Sequence, residues 1–415
     1  MSRSSWRQRI RDRLAATPGV AAVRRPVTPR GVAEFDLYYV RTGPPSVHPV
    51  LVIPGGPGLA SVQPYRAFRE HAAARGLDVI MVEHRGVGLS RHTDDGADLP
   101  EAAITVDQVV ADLAAVLDAA GVDRATVYGT SYGGYLAAGL GVRQPRRVRS
   151  MVLDSPVLSA RDIHDVREAI RELLLAGTGP TGAALAAKAR ALVDRGLLDS
   201  TATQLAATVY EFGGVRALDR QLDLLLSGRT VLWRIMELIG EQAMRVVPFH
   251  NEVDLVNRIA FRELDYRGTP DGLPLDPSVG MGELAEQMPG AAPDFEEEPY
   301  DLVAEMPRFD WPTVVLSGGR DLTTPPAIAA RVADLIPGAV PVRLPTAGHS
   351  ILDTRERAAI RVAAAVTAGG DDIAELARRG TELDALPGNA TVRLAALALD
   401  AGAFLGRVSP VRLPR

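Results

Sequence analysis

The sequence contains no cysteine and a single lysine, Lys188. The absence of cysteine excludes disulfide bonds, a thiolate nucleophile and thiolate metal ligands. No stretch is both long and apolar enough to predict a membrane-spanning helix. The formal net charge is -5, so no basic excess predicts binding to nucleic acid or to an anionic membrane. The expected partner is a small molecule or a short peptide.

The first sixteen residues are rich in arginine and lack the apolar run of a secretory signal, so we expect a cytoplasmic protein. Within this segment Trp6, Ile10 and Leu14 recur at four-residue spacing. This spacing is typical of an amphipathic helix. We expect the helix to dock on the body of the protein, with docking on a membrane surface as the alternative.

Much of the remaining chain alternates short β-branched segments with helical periodicity. This alternation predicts a doubly wound, mostly parallel α/β sheet. The predicted strands are 50–53, 79–82, 126–128, 148–153, 313–316 and 340–344. The predicted helices are 106–117, 135–142, 326–335 and 350–366.

The strand pattern stops near Asp154 and resumes at Trp311. Between them the chain is largely helical in pattern and rich in leucine and alanine, which we interpret as a cap inserted into the sheet domain. The predicted organisation is a core over 1–156 and 306–370, a helical cap over 157–305 and a helical extension over 371–415. Inside the cap, 268–293 is rich in glycine, proline and methionine, which predicts a long loop.

The pentapeptide Gly129-Thr130-Ser131-Tyr132-Gly133 matches the pattern G-x-S-x-G and lies between a predicted strand and a predicted helix. A serine on so sharp a turn needs neighbours without side chains, which Gly129 and Gly133 supply. The helix that begins after Ser131 directs unpaired N–H groups at a developing oxyanion, so the Tyr132 N–H is the predicted first donor. This context predicts Ser131 as a catalytic nucleophile.

A second oxyanion donor is expected in the loop Pro54-Gly55-Gly56-Pro57-Gly58, which follows the first predicted strand. Pro57 has no N–H and cannot donate a hydrogen bond. The Gly56 N–H is therefore the predicted donor, with the Gly55 N–H as the alternative. A tight turn without a chemical role is the other interpretation of this loop.

The acid and the base are expected after the nucleophile, because a fold with this elbow has the order serine, acid, histidine. Of the seven histidines, His349 alone lies near the C-terminus in a turn after a predicted strand. Asp321 follows the strand before it, and Asp154, at an earlier strand end, is the competing acid. We predict Ser131, Asp321 and His349 as a catalytic triad. No cluster has the spacing of metal ligands, so no metal or cofactor is expected.

These motifs, taken in chain order, resemble the prolyl aminopeptidases and the tripeptidyl-aminopeptidase-like serine peptidases of the α/β-hydrolase fold. The matching pieces are the loop 55–58, the Arg-Gly segment 85–90, the elbow 129–134, Asp321, and Gly348 with His349. The sequence departs from the family at Pro54, where a histidine is common, and at Glu83-His84, where Asp-Gln is usual. The resemblance implies a serine aminopeptidase that releases N-terminal proline or short peptides.

The resemblance also implies that carboxylates of the cap hold the free amino group of the substrate. Glu211 and Glu252 are the predicted ligands of that group, and Glu237 and Glu241 are further candidates. The physical reason to expect a carboxylate is that an unpaired buried cation costs several kcal/mol. A triad on this fold equally serves carboxylic ester hydrolases, lactone hydrolases and acyltransferases, which are the alternative function.

Overall fold

The computed structural model describes residues 3–177, 182–243, 246–288, 292–390 and 392–399. Its strands are β1 Val20–Pro26, β2 Glu34–Thr42, β3 Val50–Ile53, β4 Val79–Val82, β5 Ala125–Thr130, β6 Val148–Asp154, β7 Thr313–Gly318 and β8 Val340–Leu344. They form an eight-stranded sheet in the order β1-β2-β4-β3-β5-β6-β7-β8. The pairs β1·β2 and β2·β4 are antiparallel, and the pairs from β4·β3 to β7·β8 are parallel.

Helices pack on the sheet and occupy the segment between β6 and β7. Before β6 lie α1 Arg3–Ala15, α2 Arg66–Ala73, α3 Val106–Ala119 and α4 Tyr132–Arg143. Between β6 and β7 lie α5 Ile163–Arg171, α6 Gly182–Val193, α7 Ser200–Leu226, α8 Val231–Ala243, α9 Val253–Val256, α10 Arg258–Leu264, α11 Pro277–Gln287 and α12 Leu302–Glu305. After β7 lie α13 Pro326–Leu335, α14 Ile351–Thr354, α15 Glu356–Ala368, α16 Asp371–Arg378 and α17 Gly380–Asp384.

The core of the sheet domain has two layers, because successive residues of a strand point to opposite faces of the sheet. Leu51 and Ile80 lie on one face and pack in one hydrophobic cluster with residues of α3 and α4. Val52 and Met81 lie on the other face and pack in a second cluster with residues of α2 and α15. Burial on both faces explains why these strands are continuously apolar in sequence.

The predicted mostly parallel sheet is confirmed, and β3, β4 and β8 have the predicted bounds. The apolar pattern does not reveal β1 and β2, which lie at the antiparallel edge of the sheet. Most residues of β1 are partly or fully exposed, so this strand has no continuous apolar run. The helix predicted over 350–366 is divided at Arg355 into α14 and α15.

The prediction of a long loop over 268–293 is wrong in part, because α11 lies within this segment. The side chain of Asp276 accepts a hydrogen bond from the Ser278 N–H at 3.0 Å, and Pro277 occupies the first helical turn. These are the capping residue and the proline that favour a helix start. The glycine and proline content of the segment hid this start. Residues 289–291 lie outside the described ranges.

The segments at the two ends of the chain pack on the sheet domain. Ile10 and Leu14 of α1 pack against the cluster that contains Val52, which confirms docking on the body, whereas Trp6 is 48% exposed. In the predicted extension, α16 and α17 contact β8, residues 392–399 are helical, and 400–415 lie outside the described residues.

In the part of the chain that the structure describes, no helix combines the length and apolarity that crossing a membrane requires. The predicted domain boundaries at 156 and 305 stay predictions.

A buried ion pair anchors the segment that begins at Arg85. Arg85 and Asp112 are both fully buried. The Arg85 Nε donates to Asp112 Oδ2 at 2.6 Å, and Arg85 Nη2 donates to Oδ1 at 2.8 Å. Arg25 of β1 donates to the same Oδ1 at 2.8 Å. Asp112 thus joins α3 to β1 and to the loop after β4.

Replacing Asp112 with alanine should leave Arg85 buried without a counter-charge. Removal of one partner of a buried pair costs about 3–5 kcal/mol, and we expect the free energy of unfolding to fall by about that amount. Urea denaturation followed by circular dichroism measures this change. The matched control is Asp123→Ala at a position whose side chain is 95% exposed, for which we expect a change below about 0.5 kcal/mol. Equal stability of the two variants would contradict this role of Asp112.

Candidate active site

The turn between β5 and α4 places Ser131 at the carboxyl edge of the sheet. Ser131 has φ 54° and ψ -124°, a backbone conformation that is unfavourable for a residue with a Cβ. Its N–H donates to the Asp154 carbonyl at 2.9 Å, and its own carbonyl accepts from the Gly134 N–H at 2.8 Å. These two bonds, one from β6 and one from α4, hold the strained turn.

Two glycines make this turn possible, as the sequence predicts. A Cβ on Gly129 would lie 2.2 Å from the Gly133 carbonyl oxygen. A Cβ on Gly133 would lie 2.2 Å from the Ile53 carbonyl oxygen. Both distances are far inside van der Waals contact, so any side chain at either position would push the turn away from the sheet.

The side chains of His349 and Asp321 meet at the same edge of the sheet. His349 Nδ1 lies 3.0 Å from Asp321 Oδ2 and 3.2 Å from Oδ1. Asp321 Oδ1 also accepts the N–H groups of Thr323 at 2.9 Å and Thr324 at 2.8 Å. These backbone bonds orient the carboxylate toward the imidazole.

The electrostatics around His349 favour its charged form. Burial lowers the pKa of the imidazole, but the negative charge and hydrogen bond of Asp321, with the charges of Glu211 and Asp154, raise that pKa to about 9. An imidazole with a raised pKa is a stronger proton acceptor once it is neutral.

The residues next to Ser131 and His349 bring their two turns together. Thr130 Oγ1 donates to Ser350 Oγ at 3.0 Å, and the Ser350 N–H donates to Ser155 Oγ at 3.2 Å. Ser350 has φ 56°, so the turn after His349 is strained as well. The sequence reasoning misses these contacts and also Thr324, whose hydroxyl lies 3.2 Å from His349 Nδ1. The only signal in the sequence was that Thr130 and Ser350 lie beside predicted triad members.

Asp154, the competing acid, binds a different part of the fold. Its carboxylate accepts hydrogen bonds from the Tyr128 hydroxyl at 2.8 Å, the Ile351 N–H at 3.0 Å and the Leu352 N–H at 2.8 Å. Burial raises the pKa of Asp154 to about 6, although these bonds oppose the rise. The carboxylate therefore holds the start of α14, and Asp321 is the candidate acid whose carboxylate contacts His349.

The glycine-rich loop after β3 reaches Ser131. A Cβ on Gly55 would lie 3.2 Å from Ser131 Cβ and 3.7 Å from its Oγ. A Cβ on Gly56 would meet the Gly58 and Leu59 nitrogens of its own loop. The structure therefore places Gly55 beside Ser131, and Gly56 as the oxyanion donor stays a prediction. The Tyr132 N–H belongs to the first residue of α4.

Glu211 of α7 lies beside the acid and the base. Its Oε1 accepts the N–H groups of Leu322 at 2.8 Å and Thr323 at 3.1 Å. Burial and the charge of Asp321 raise the pKa of Glu211, His349 lowers it, and the result is about 7. The structure thus brings this predicted substrate-binding residue to the triad, with one oxygen bonded to the turn that carries Asp321.

Glu252 lies against the glycine-rich loop. Its carboxylate accepts the Gly88 N–H at 2.5 Å and lies 3.6 Å from an Arg7 nitrogen and 3.9 Å from an Arg91 nitrogen. Its own N–H donates to the Gly58 carbonyl at 2.9 Å. Glu252 therefore links the loop 55–58 to the segment 85–90, and two arginines already share its charge. As for the further candidates, Glu237 is half-buried on α8, and the side chain of Glu241 lies outside the described ones.

Glu83, at one of the departures from the family pattern, organises the same region. It is fully buried, and its Oε2 accepts the Ser61 N–H at 2.5 Å and the Val62 N–H at 3.0 Å. Its Oε1 accepts the Leu89 N–H at 3.2 Å. The carboxylate holds the loops after β3 and β4 together.

Among the described residues, no group of three His, Asp or Glu side chains has the arrangement of a metal site.

A family model described as alpha/beta hydrolase fold matches residues 48–210 of this chain. The chain is 36% identical over 114 residues to a proline iminopeptidase of Lactobacillus delbrueckii subsp. lactis. The aligned residues are 27% of this chain and 37% of that protein. It is 34% identical over 147 residues to the putative carbamate hydrolase RutD of Azorhizobium caulinodans. The aligned residues are 35% of this chain and 51% of that protein. The chain thus spans about half the length of these curated relatives, or less.

A third relative matches over a longer stretch. The rhodomycin D methylesterase DauP of Streptomyces sp. (strain C5) is 28% identical over 318 residues, 77% of this chain and 90% of that protein. Among solved structures, a proline iminopeptidase of Mycobacterium smegmatis is similar with a TM-score of 0.50 and 20% identity over 85% of this chain and 99% of that one. The chain therefore has the α/β-hydrolase fold and is similar to proteins named as a hydrolase, a methylesterase and iminopeptidases.

Proposed function

We propose that this protein is a serine hydrolase in which Ser131 is the nucleophile, His349 the general base and Asp321 the acid that orients the base. The observation that carries the proposal is the hydrogen bond between His349 and Asp321 at the sheet edge where Ser131 occupies its strained turn. In the α/β-hydrolase fold this is where a triad lies, in the chain order serine, acid, histidine.

Hydrolysis at this site takes two steps. The Ser131 hydroxyl attacks the carbonyl carbon of the substrate while His349 takes the hydroxyl proton, and the leaving group departs with that proton to leave an acyl-enzyme. Water then attacks the acyl carbonyl, His349 again takes and returns a proton, and the carboxylic acid is released. Asp321 stabilises the imidazolium that forms in each step.

The negative charge on the carbonyl oxygen needs donors that are already in place. The Tyr132 N–H, at the start of α4, is one proposed donor, because the first N–H groups of a helix have no intrahelical partner. The other proposed donor is in the loop after β3, from Gly56 or from Gly55, which lies beside Ser131. Removal of one such donor typically costs about 10²–10³ in kcat.

Within this chemistry we propose aminopeptidase activity, the release of N-terminal proline or short peptides from substrates with a free amino group. The similarity to proline iminopeptidases supports it. So does Glu211, a carboxylate from the segment between β6 and β7 that lies at the turn bearing Asp321. Glu252, which lies against the glycine-rich loop, is the second proposed ligand of the amino group. The second candidate is hydrolysis of a carboxylic ester or lactone, or acyl transfer. The similarity to a methylesterase over most of both chains favours it.

Ser131→Ala should lose turnover by about 10⁶-fold, because the attacking atom is gone and a triad acts as a unit. The thermal midpoint should stay that of the parent, since the methyl group fits wherever Cβ already lies. Initial rates on a short-chain nitrophenyl ester, with labelling by a fluorophosphonate, measure the effect. Parent-like turnover by this variant would remove Ser131 from the mechanism.

Asp321→Asn should lower kcat by about 10⁴-fold, because an amide that donates to His349 favours the wrong imidazole tautomer. Asp154→Asn should keep kcat within about tenfold but lower the free energy of unfolding by about 1–3 kcal/mol, because its amide group faces backbone donors at the start of α14. Steady-state kinetics and urea denaturation of both variants separate the two effects. A large kcat loss in Asp154→Asn alone would move the acid to Asp154.

Substrates with a free amino terminus should be preferred to their N-acetylated forms by about tenfold or more in kcat/KM, which corresponds to about 1.4 kcal/mol. The measurement is hydrolysis of Pro-, other aminoacyl- and tripeptidyl-arylamides, free and acetylated, beside short-chain nitrophenyl esters. Equal rates on free and acetylated peptides would rule out the aminopeptidase assignment. Hydrolysis of an ester or lactone would then replace aminopeptidase activity as the proposed function.

A further inference from the structure

Helix α7 packs directly on the two turns that carry the proposed acid and base. A Cβ on Gly348 would lie 2.9 Å from Glu211 Cβ and 3.1 Å from the Glu211 carbonyl oxygen. Three residues further along α7, the helix is interrupted at Gly214, which has φ 69°. A Cβ there would lie 2.8 Å from Arg320 Cζ. The two glycines let the helix and both turns approach within contact.

The Glu211 carboxylate extends this contact into the turn that carries Asp321. Glu211 Oε1 accepts the N–H groups of Leu322 and Thr323, and the Thr323 hydroxyl lies 3.2 Å from the same oxygen. The Thr323 N–H also lies 2.9 Å from Asp321 Oδ1. One backbone donor is thus shared by Glu211 and by the acid of the triad, so displacement of either carboxylate affects the other.

Charge couples the same groups. Asp321 opposes ionisation of Glu211 and His349 favours it, while Glu211 is among the negative charges that raise the pKa of His349. Arg320 faces α7 at Gly214. Asp321 and His349 therefore act on the charge of Glu211 from the two turns that α7 contacts.

We propose that Glu211 is a positioning residue, which holds the turn bearing Asp321 against His349 from helix α7. This inference rests on the proposed serine hydrolase mechanism and goes beyond it, because it gives Glu211 a role on every substrate and not only on those with a free amino group. It also makes the catalytic geometry depend on the placement of α7. A shift of about 1 Å in a catalytic group can cost about 10²-fold in rate.

The test uses two variants of Glu211 on an N-blocked nitrophenyl ester and, for comparison, on an arylamide with a free amino terminus. Glu211→Ala removes the acceptor for the two N–H groups, so we expect kcat to fall by about tenfold or more with little change in KM. Glu211→Gln keeps an acceptor oxygen but removes the charge, so kcat should fall less. The acid limb of its kcat/KM profile should move to lower pH by about one unit, because His349 loses a neighbouring negative charge. The matched control, Glu168→Gln at an exposed position of α5, should leave rate and profile unchanged.

Three outcomes would overturn the proposal. A parent-like kcat for Glu211→Ala together with an unshifted profile for Glu211→Gln would show that the carboxylate does not position the acid. A rise in KM confined to substrates with a free amino terminus would assign Glu211 to substrate binding instead. A kcat loss in Glu211→Ala that disappears when rates are normalised to folded protein would reduce its role to stability. Failure of the serine mechanism itself is seen separately, as turnover of the same ester by Ser131→Ala.

Discussion

The strained turn at Ser131 is the constraint on which the rest of the site depends. A strand that must become a helix within one residue forces that residue to a positive φ and brings the flanking backbone against β3. Only glycine fits at 129 and 133 under this condition. The parallel order of β3, β5, β6, β7 and β8 then places the loops after these strands at the same edge, where they surround Ser131.

Buried and partly buried carboxylates fix those loops, each by accepting backbone N–H groups. Each carboxylate accepts the N–H groups of residues in a neighbouring loop: Glu83 those of Val62 and Leu89, Asp154 those of Ile351 and Leu352, Glu211 those of Leu322 and Thr323, and Glu252 that of Gly88. A charged acceptor forms stronger hydrogen bonds than a neutral one, and leaving it unpaired in the interior is costly. The loops are therefore held in place by the same electrostatics that set the pKa values of the site.

Similarity to the family model covers only the part of the site that contains Ser131. The matched family model covers 48–210, which includes Ser131 and the glycine-rich loop but ends before Asp321 and His349. The rest of the proposed triad is supported by geometry, through the contact of His349 with Asp321. Glu211, from the helices between β6 and β7, contacts the turn that carries Asp321, so these helices contribute to the site. The same sheet can carry peptidase or esterase chemistry under different helices.

The sequence by itself determined what short-range sterics and periodicity control. These are the glycine-flanked elbow, the buried strands β3, β4 and β8, the parallel sheet, and the chain order of Ser131, Asp321 and His349. Only the tertiary structure showed that the carboxylate of Asp321, and not that of Asp154, contacts His349, because both residues follow a strand and nothing local shows which one faces the imidazole. It also revealed β1 and α11, and it placed Glu211 at the Asp321 turn. Each of these depends on contacts between segments far apart in the chain, which periodicity does not encode.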